Sequence, residues 1–303
     1  MIRISLLGQV SVIGRNGRQA CLGAGRATEL FAFLVLEGGR SIHRSRLAEL
    51  FWGHLPEERG RRALNTELWR VTRALAAVGV DVGRSLARSA NEVGYVPQVD
   101  HQVDVLGLRE AMRLVNACSV ETVGGEELGR IEAGIGAYRG DLLESVYSDW
   151  CLVWRERLRA QFTGILEFLL RAAMHRHDWP AGLRFGQQLL DLDPLMEHVH
   201  RDLMRCHFHN GDRPLALRQF ARCERILRNE LGVEPMDETR RIQETLLAVS
   251  ARPDEQSRAR RSPAPRRIQS RTPAQKLDLA MSNLNSACHW VEEASQDLRD
   301  ANS

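Results

Sequence analysis

Lysine is nearly missing from these 303 residues: Lys276 stands alone among 42 basic side chains, and the other 41 are arginine. The body before it therefore offers no lysine to a phosphate-binding loop or to a Schiff base. The bias itself fits genome base composition better than function. Cys-x-x-Cys pairs are missing too. Cys21, Cys118, Cys151, Cys206, Cys223 and Cys288 are scattered, which predicts buried reduced thiols rather than disulfides or zinc ligands. No apolar run approaches the roughly 18 residues of a membrane span. The N-terminus lacks the basic-then-apolar pattern of a signal peptide. A soluble, cytoplasmic protein with no membrane contact is expected. Catalytic signatures are equally scarce: no Gly-rich phosphate loop, no Gly-x-Ser-x-Gly elbow and no His-Glu-x-x-His. Neither an enzyme nor a bound cofactor is expected.

What is present is enough for two domains with proper cores, since 43% of the chain is hydrophobic. The net charge of +3 argues little, but its distribution says more. Residues 1–100 carry 14 basic and 9 acidic side chains, residues 101–250 carry 19 and 23, and residues 251–303 carry 9 and 7. The basic surplus sits at the N-terminal end.

The first residues alternate. Ile2, Ile4 and Leu6, then Val10 and Val12, read as two half-buried strands. Asn16-Gly17 signals a tight turn into a third short strand near residues 18–22. Ala27, Leu30, Phe31, Leu34 and Val35 form a helical stripe ended by Gly38-Gly39. A second helix begins near His43, with Leu47, Leu50 and Phe51 inward. Trp52, Gly53 and Pro56 mark the turn to a third helix over residues 59–78. Two short extended runs follow, 85–88 and 94–96, joined by a turn at 89–93 as a hairpin. Small sheet, three helices and hairpin together make a winged helix-turn-helix, which lays its third helix in the major groove.

The third helix carries the chemistry for that role. At about 100° per residue, Leu64, Leu68, Val71 and Leu75 share one arc. Arg62, Thr66, Trp69, Arg70 and Arg73 occupy the opposite one, with Asn65 at its edge. Arginine can take guanine edges in bidentate fashion, Thr and Asn read base edges, and further arginines grip phosphate. By itself this pattern also fits an ordinary surface helix. A winged helix used as a protein-docking module is the competing reading of the whole unit.

From about Val103 onward only helices are expected, among them residues 106–117 and 126–138. A repeat then appears at a spacing of 34: His175 with His209, Asp178 with Asp212, Pro180 with Pro214, Leu183 with Leu217, and Gly182 with Ala216. That is the period of tetratricopeptide repeats, in which small residues let paired helices approach and an Asp/Pro turn starts the next helix. Asp193-Pro194 ends one repeat, and a helix over residues 237–249 caps the stack. Such stacks offer a groove to protein partners or serve only as scaffold. The chain thus divides into a winged-helix domain at 1–100, an all-α repeat domain at 101–250, a Pro/Arg-rich linker at 251–275 and an amphipathic segment at 276–303. In the last, Leu277, Met281, Leu284, Cys288, Val291 and Leu298 follow a weak heptad seam. The His-x-His pairs 175/177, 198/200 and 207/209 point about 200° apart on a helix, so no pair chelates as a unit and no metal is expected.

These segments also carry a resemblance. It runs through Leu7-Gly8, Arg46-Leu47, Phe51-Trp52, Ala63-Leu64, Leu68, Arg73, Gly94-Tyr95 and Val103-Asp104-Val105. It continues through Tyr138-Arg139-Gly140-Asp141-Leu142-Leu143, Asp149-Trp150, Leu192-Asp193-Pro194, Gly211-Asp212 and Glu230-Leu231-Gly232-Val233-Glu234-Pro235. Over residues 1–249 the chain resembles the Streptomyces antibiotic regulatory protein family, in which a response-regulator-type winged helix precedes a bacterial transcriptional activator domain. The resemblance implies a sequence-specific transcription regulator, usually an activator, that binds direct repeats in promoter DNA and recruits RNA polymerase. It implies DNA contacts from Arg62, Asn65, Thr66, Trp69, Arg70 and Arg73, phosphate contacts from His43 and Arg44, and a wing contact from Arg88. Trp69 has two readings, packing under the wing or meeting sugar and base. The resemblance also implies a polymerase contact from the loop at residues 53–58. A homodimer assembled on DNA is a further implied partner. With no receiver domain before the winged helix, aspartate phosphorylation is not the expected switch.

Overall fold

The computed structural model describes residues 1–23 and 25–251, without the side chains of Arg88, Val249, Ser250 and Ala251. The expected linker at 251–275 and amphipathic segment at 276–303 lie outside the described residues beyond Ala251. Strand β1 (Ile2–Ser5) runs antiparallel to β2 (Ser11–Ile13), with Arg3 opposite Ile13. Ile2, Ile4 and Leu6 are buried while Arg3 is exposed, as period-two alternation requires. No full strand forms at residues 18–22. A single bridge joins Ile13 to Gln19, because the Asn16 side chain accepts the Arg18 N–H and closes the turn, after which Gly23 and Gly25 turn the chain with positive φ.

Helix α1 (Arg26–Leu36) is buried along most of its length and stops where Gly38 and Gly39 take φ of 63° and 87°. A two-residue strand β3 (Ile42–His43) leads into α2 (Arg44–Trp52). Leu47 and Phe51 point inward as expected, but Leu50 is 43% exposed. The buried stripe is Leu47, Ala48, Phe51 and Trp52, and a residue three after Leu47 falls outside that arc. Helix α3 (Glu57–Ala77) starts two residues earlier than the periodicity predicts. It is followed by α4 (Val82–Ser85), a single turn whose Arg84 N–H is capped by Asp81; that segment was expected to be extended from 85. The wing is β4 (Leu86–Arg88) against β5 (Glu92–Tyr95), with Leu86 opposite Tyr95. Its turn is shorter than expected because the Ser89 hydroxyl oxygen accepts the N–H groups of Asn91 and Glu92. Strand order in this sheet is β3-β5-β4.

A strand absent from the sequence reading follows. β6 (His101–Val103) joins the first sheet parallel to β1, with Ile4 opposite Val103, giving the order β2-β1-β6. Directly after it come α5 (Asp104–Ala117), α6 (Gly125–Ile135), α7 (Asp149–His175), α8 (Trp179–Leu192), α9 (Glu197–His209), α10 (Arg213–Leu231) and α11 (Asp237–Ala251). Helix α6 stops three residues before Tyr138, which stacks on Phe162 at 3.9 Å and donates its hydroxyl to Asp141. The 34-residue spacing places Asp178 and Asp212 as the N-cap residues of α8 and α10, with Gly182 and Ala216 both buried one turn later. Helix α11 packs on α9 and α10. Among the described residues no helix is long and apolar enough to cross a membrane.

One hydrophobic core runs from Ile2 through the winged helix to Cys206 in α9, and residues 1–251 form one compact unit. Polar bonds reinforce the junction. Asp104 Oδ2 accepts the Leu6 and Leu7 N–H groups at 2.7 and 2.9 Å, and Oδ1 accepts that of Val105 at 2.7 Å. Burial holds the Asp104 carboxyl above its usual range, and these N–H groups partly offset that. Leu7 bridges to Leu142. The guanidinium of Arg155 donates to the carbonyls of Leu142, Leu143 and Val146, in the stretch where Leu143 sits at a φ of 46°.

Candidate nucleic-acid interface

Helix α3 separates its two faces cleanly. Leu64, Leu68, Val71 and Leu75 are buried, together with Gly60 and Ala74. Arg62, Asn65, Thr66, Trp69, Arg70 and Arg73 are all exposed. Trp69 is 57% exposed, so it does not pack under the wing; it carries the Arg73 guanidinium over its ring at 5.3 Å. That contact extends the arginine outward on an aromatic platform. Thr66 donates its hydroxyl to the Arg62 carbonyl at 3.0 Å, which leaves the oxygen's remaining lone pairs and the methyl group outward.

Charge on the outer arc is graded by its partners. Arg62 pairs with Glu58 at 3.4 Å and Arg70 with Glu67 at 2.8 Å. Arg73 has no carboxylate partner among the described residues. Neither has Arg59, an exposed arginine seven residues before Thr66 on the same arc. Arg59 is absent from the sequence-derived set, although the same 100° spacing finds it. Its charge is less neutralised than that of Arg62.

The start of α2 approaches the same face. Arg44 donates Nη2 to Asn65 Oδ1 at 2.6 Å, tying the two helices together. His43 is the N-cap of α2: its Nδ1 accepts the Ser45 N–H at 3.4 Å and lies 2.5 Å from the Ser45 hydroxyl. With Nδ1 accepting, the ring proton sits on Nε2 and is free to donate outward. Arg88 stands in β4 opposite Val93; its side chain lies outside the described residues. A hollow of about 500 Å³ flanks the helix, with Arg26 and Cys21 on one wall and Trp69, Arg70 and Arg73 on the other. Arg26, paired with Glu29 at 2.8 Å, thus lies beside the basic face, a position no periodicity within α3 could reveal.

Elsewhere, among the described residues, no group of three or more His, Cys, Asp or Glu side chains converges on a metal-sized site. Cys151, Cys206 and Cys223 are buried thiols, and burial pushes Cys206 and Cys223 up to about 12. Cys21, expected to be buried, is exposed, and Cys118 is half-buried.

Residues 103–247 match the family described as Bacterial transcriptional activator domain. The regulatory protein AfsR of Streptomyces coelicolor is 24% identical over 303 residues, which is 99% of this chain but 29% of AfsR. The regulatory protein DnrI of Streptomyces peucetius is 26% identical over 257 residues, covering 81% of this chain and 92% of DnrI. Among solved structures, Mycobacterium tuberculosis EmbR, in complex with a low affinity phosphopeptide, superposes with a TM-score of 0.61 at 17% identity, covering 82% of this chain and 65% of EmbR. That likeness shows a shared fold. The shared architecture is a winged helix joined to a helical repeat domain through one core. Along most of its length the chain is similar to the Streptomyces regulatory proteins AfsR and DnrI, and residues 103–247 match the bacterial transcriptional activator domain.

Proposed function

We propose that this chain is a sequence-specific, double-stranded-DNA-binding transcription activator that binds promoter repeats and recruits RNA polymerase. The observation that carries the reading is the two-faced α3: a wholly apolar arc in the core and an exposed arc of Arg59, Arg62, Thr66, Trp69 and Arg73. Residues 1–100 serve as the DNA-binding part and residues 101–250 as the activator domain, acting in the cytoplasm where the promoter lies. Thr66, Asn65, Arg70 and Arg73 face bases, while His43, Arg44, Arg59, Arg62 and Arg88 hold phosphate or sugar. The exposed turn ending in Glu57 and Glu58 lies at the start of α3 and offers the surface for polymerase. Two copies pair on adjacent repeats.

A mobility-shift titration on the protein's own promoter region, run from 50 to 200 mM salt, tests this. Each phosphate neutralised steepens the log–log salt slope by about 0.9, so several contacts give a steep fall in affinity. Salt-insensitive binding, or none at any site, would sink the DNA reading and favour a protein-docking module.

A further inference from the structure

We infer that Arg44 fixes which base Asn65 reads, and that the base is guanine. The inference rests on the DNA-binding reading above and adds a positioning role that phosphate contact alone would not give Arg44. It starts from the 2.6 Å bond between Arg44 Nη2 at the first turn of α2 and Asn65 Oδ1 on α3.

A guanidinium has five donors and no acceptor. The Asn65 amide must therefore turn its oxygen toward Arg44 and its NH2 group away. Turning the amide over would lose a charge-assisted bond and set N–H against N–H. Asn65 is exposed whereas Arg44 is half-buried, so the amide nitrogen, not the guanidinium, is the group presented toward a groove.

An asparagine reads adenine by using both ends of its amide, accepting from N6 and donating to N7. With its oxygen occupied, Asn65 offers donors only. In the major groove cytosine presents an N4 donor, adenine one acceptor beside a donor, and thymine a single acceptor beside its methyl group. Guanine presents two adjacent acceptors, N7 and O6, and matches a donor-only NH2. Neighbouring groups do not disturb this arrangement: the Thr66 hydroxyl is committed to the Arg62 carbonyl, and Arg62 itself to Glu58.

The test is selection from a pool of randomised duplexes with the full chain. Asn65→Ala locates the position by losing preference at one base. Wild type is expected to select guanine there by about tenfold. Arg44→Met keeps the aliphatic stem but frees the amide, and adenine should rise to parity with guanine at that base while other positions keep their letters. Asn65→Asp keeps an oxygen for Arg44 and has no donor, so cytosine should replace guanine. If Arg44→Met weakens all sequences alike and leaves the letter unchanged, Arg44 is a phosphate contact only and the inference falls. If wild type selects adenine at the base that Asn65→Ala loses, it falls as well. If wild type selects no sequence at all, the DNA-binding reading is overturned together with it.

Discussion

The Trp150 indole of α7 meets the Phe33 ring of α1 edge-on, with centroids 5.2 Å apart and planes at 80°. Phe51 of α2 lies 5.7 Å away on the same indole. One side chain of the repeat domain thus touches two helices of the winged helix. Trp150→Ala is expected to cost about 3 kcal/mol. In a urea titration the midpoint should fall with the slope unchanged, and circular dichroism in the far and near ultraviolet should trace one transition. Two separated transitions would show that the halves do not share a cooperative core.

Gly134 tests the other packing contact in the repeat domain. A Cβ placed there would stand 2.6 Å from the Ala111 Cβ and 2.7 Å from the Gly107 carbonyl oxygen. Backbone cannot yield as a flexible side chain does, so α5 and α6 must move apart. Gly134→Ala should lower stability by about 1–3 kcal/mol despite its better helix propensity. Thermal melts of the two proteins decide it, and a stabilised variant would contradict the close approach.

His200 links stability to pH. Its Nε2 lies 3.1 Å from the Pro194 carbonyl and its Nδ1 2.8 Å from the Gln219 amide nitrogen. The neutral ring with its proton on Nε2 satisfies both. Burial lowers its pKa from 6.5. Below pH 6.5 the unfolded chain therefore takes up the proton first, and stability falls as pH drops from 6.5 through the lowered value. Burial lowers His101 and His207 as well, so the effect is read by difference. The stability advantage of wild type over His200→Gln should shrink across that window. A constant difference would show that His200 does not titrate with unfolding.

Arg73 and Arg59 separate base reading from phosphate binding. Arg73→Ala should cost about 1–3 kcal/mol more on the specific site than on random DNA, and Arg59→Ala should weaken both equally while reducing the salt slope by about one. Competition binding at two salt concentrations measures both. Equal losses for Arg73→Ala would reassign it to phosphate.

Much of this was legible because it is periodic. The arcs of α3 and the 34-residue spacing each depend on local side-chain order, and both faces of α3 came out as spaced. The outward Leu50 was missed because α2 buries adjacent pairs rather than a three-four stripe. Residues 18–22 alternate too little to outweigh the glycines after them. β6 is three residues long, too short for any period, and its partner lies about a hundred residues earlier. The Arg44–Asn65 bond joins two helices across 21 residues, and nothing in either helix alone signals it. Asp104 reads as an ordinary helix-start carboxylate, and its bonds to Leu6 and Leu7 appear only in three dimensions.

The parallel pairing of β1 with β6 also sets an order of events during synthesis. Residues 2–4 cannot complete their sheet until residues 101–103 have been made, and Leu7 must wait longer still, for Leu142. Such long-range closure is slow relative to helix formation. The nascent chain therefore leaves the β1 edge at Ile2 and Ile4 unpaired over about a hundred residues of synthesis.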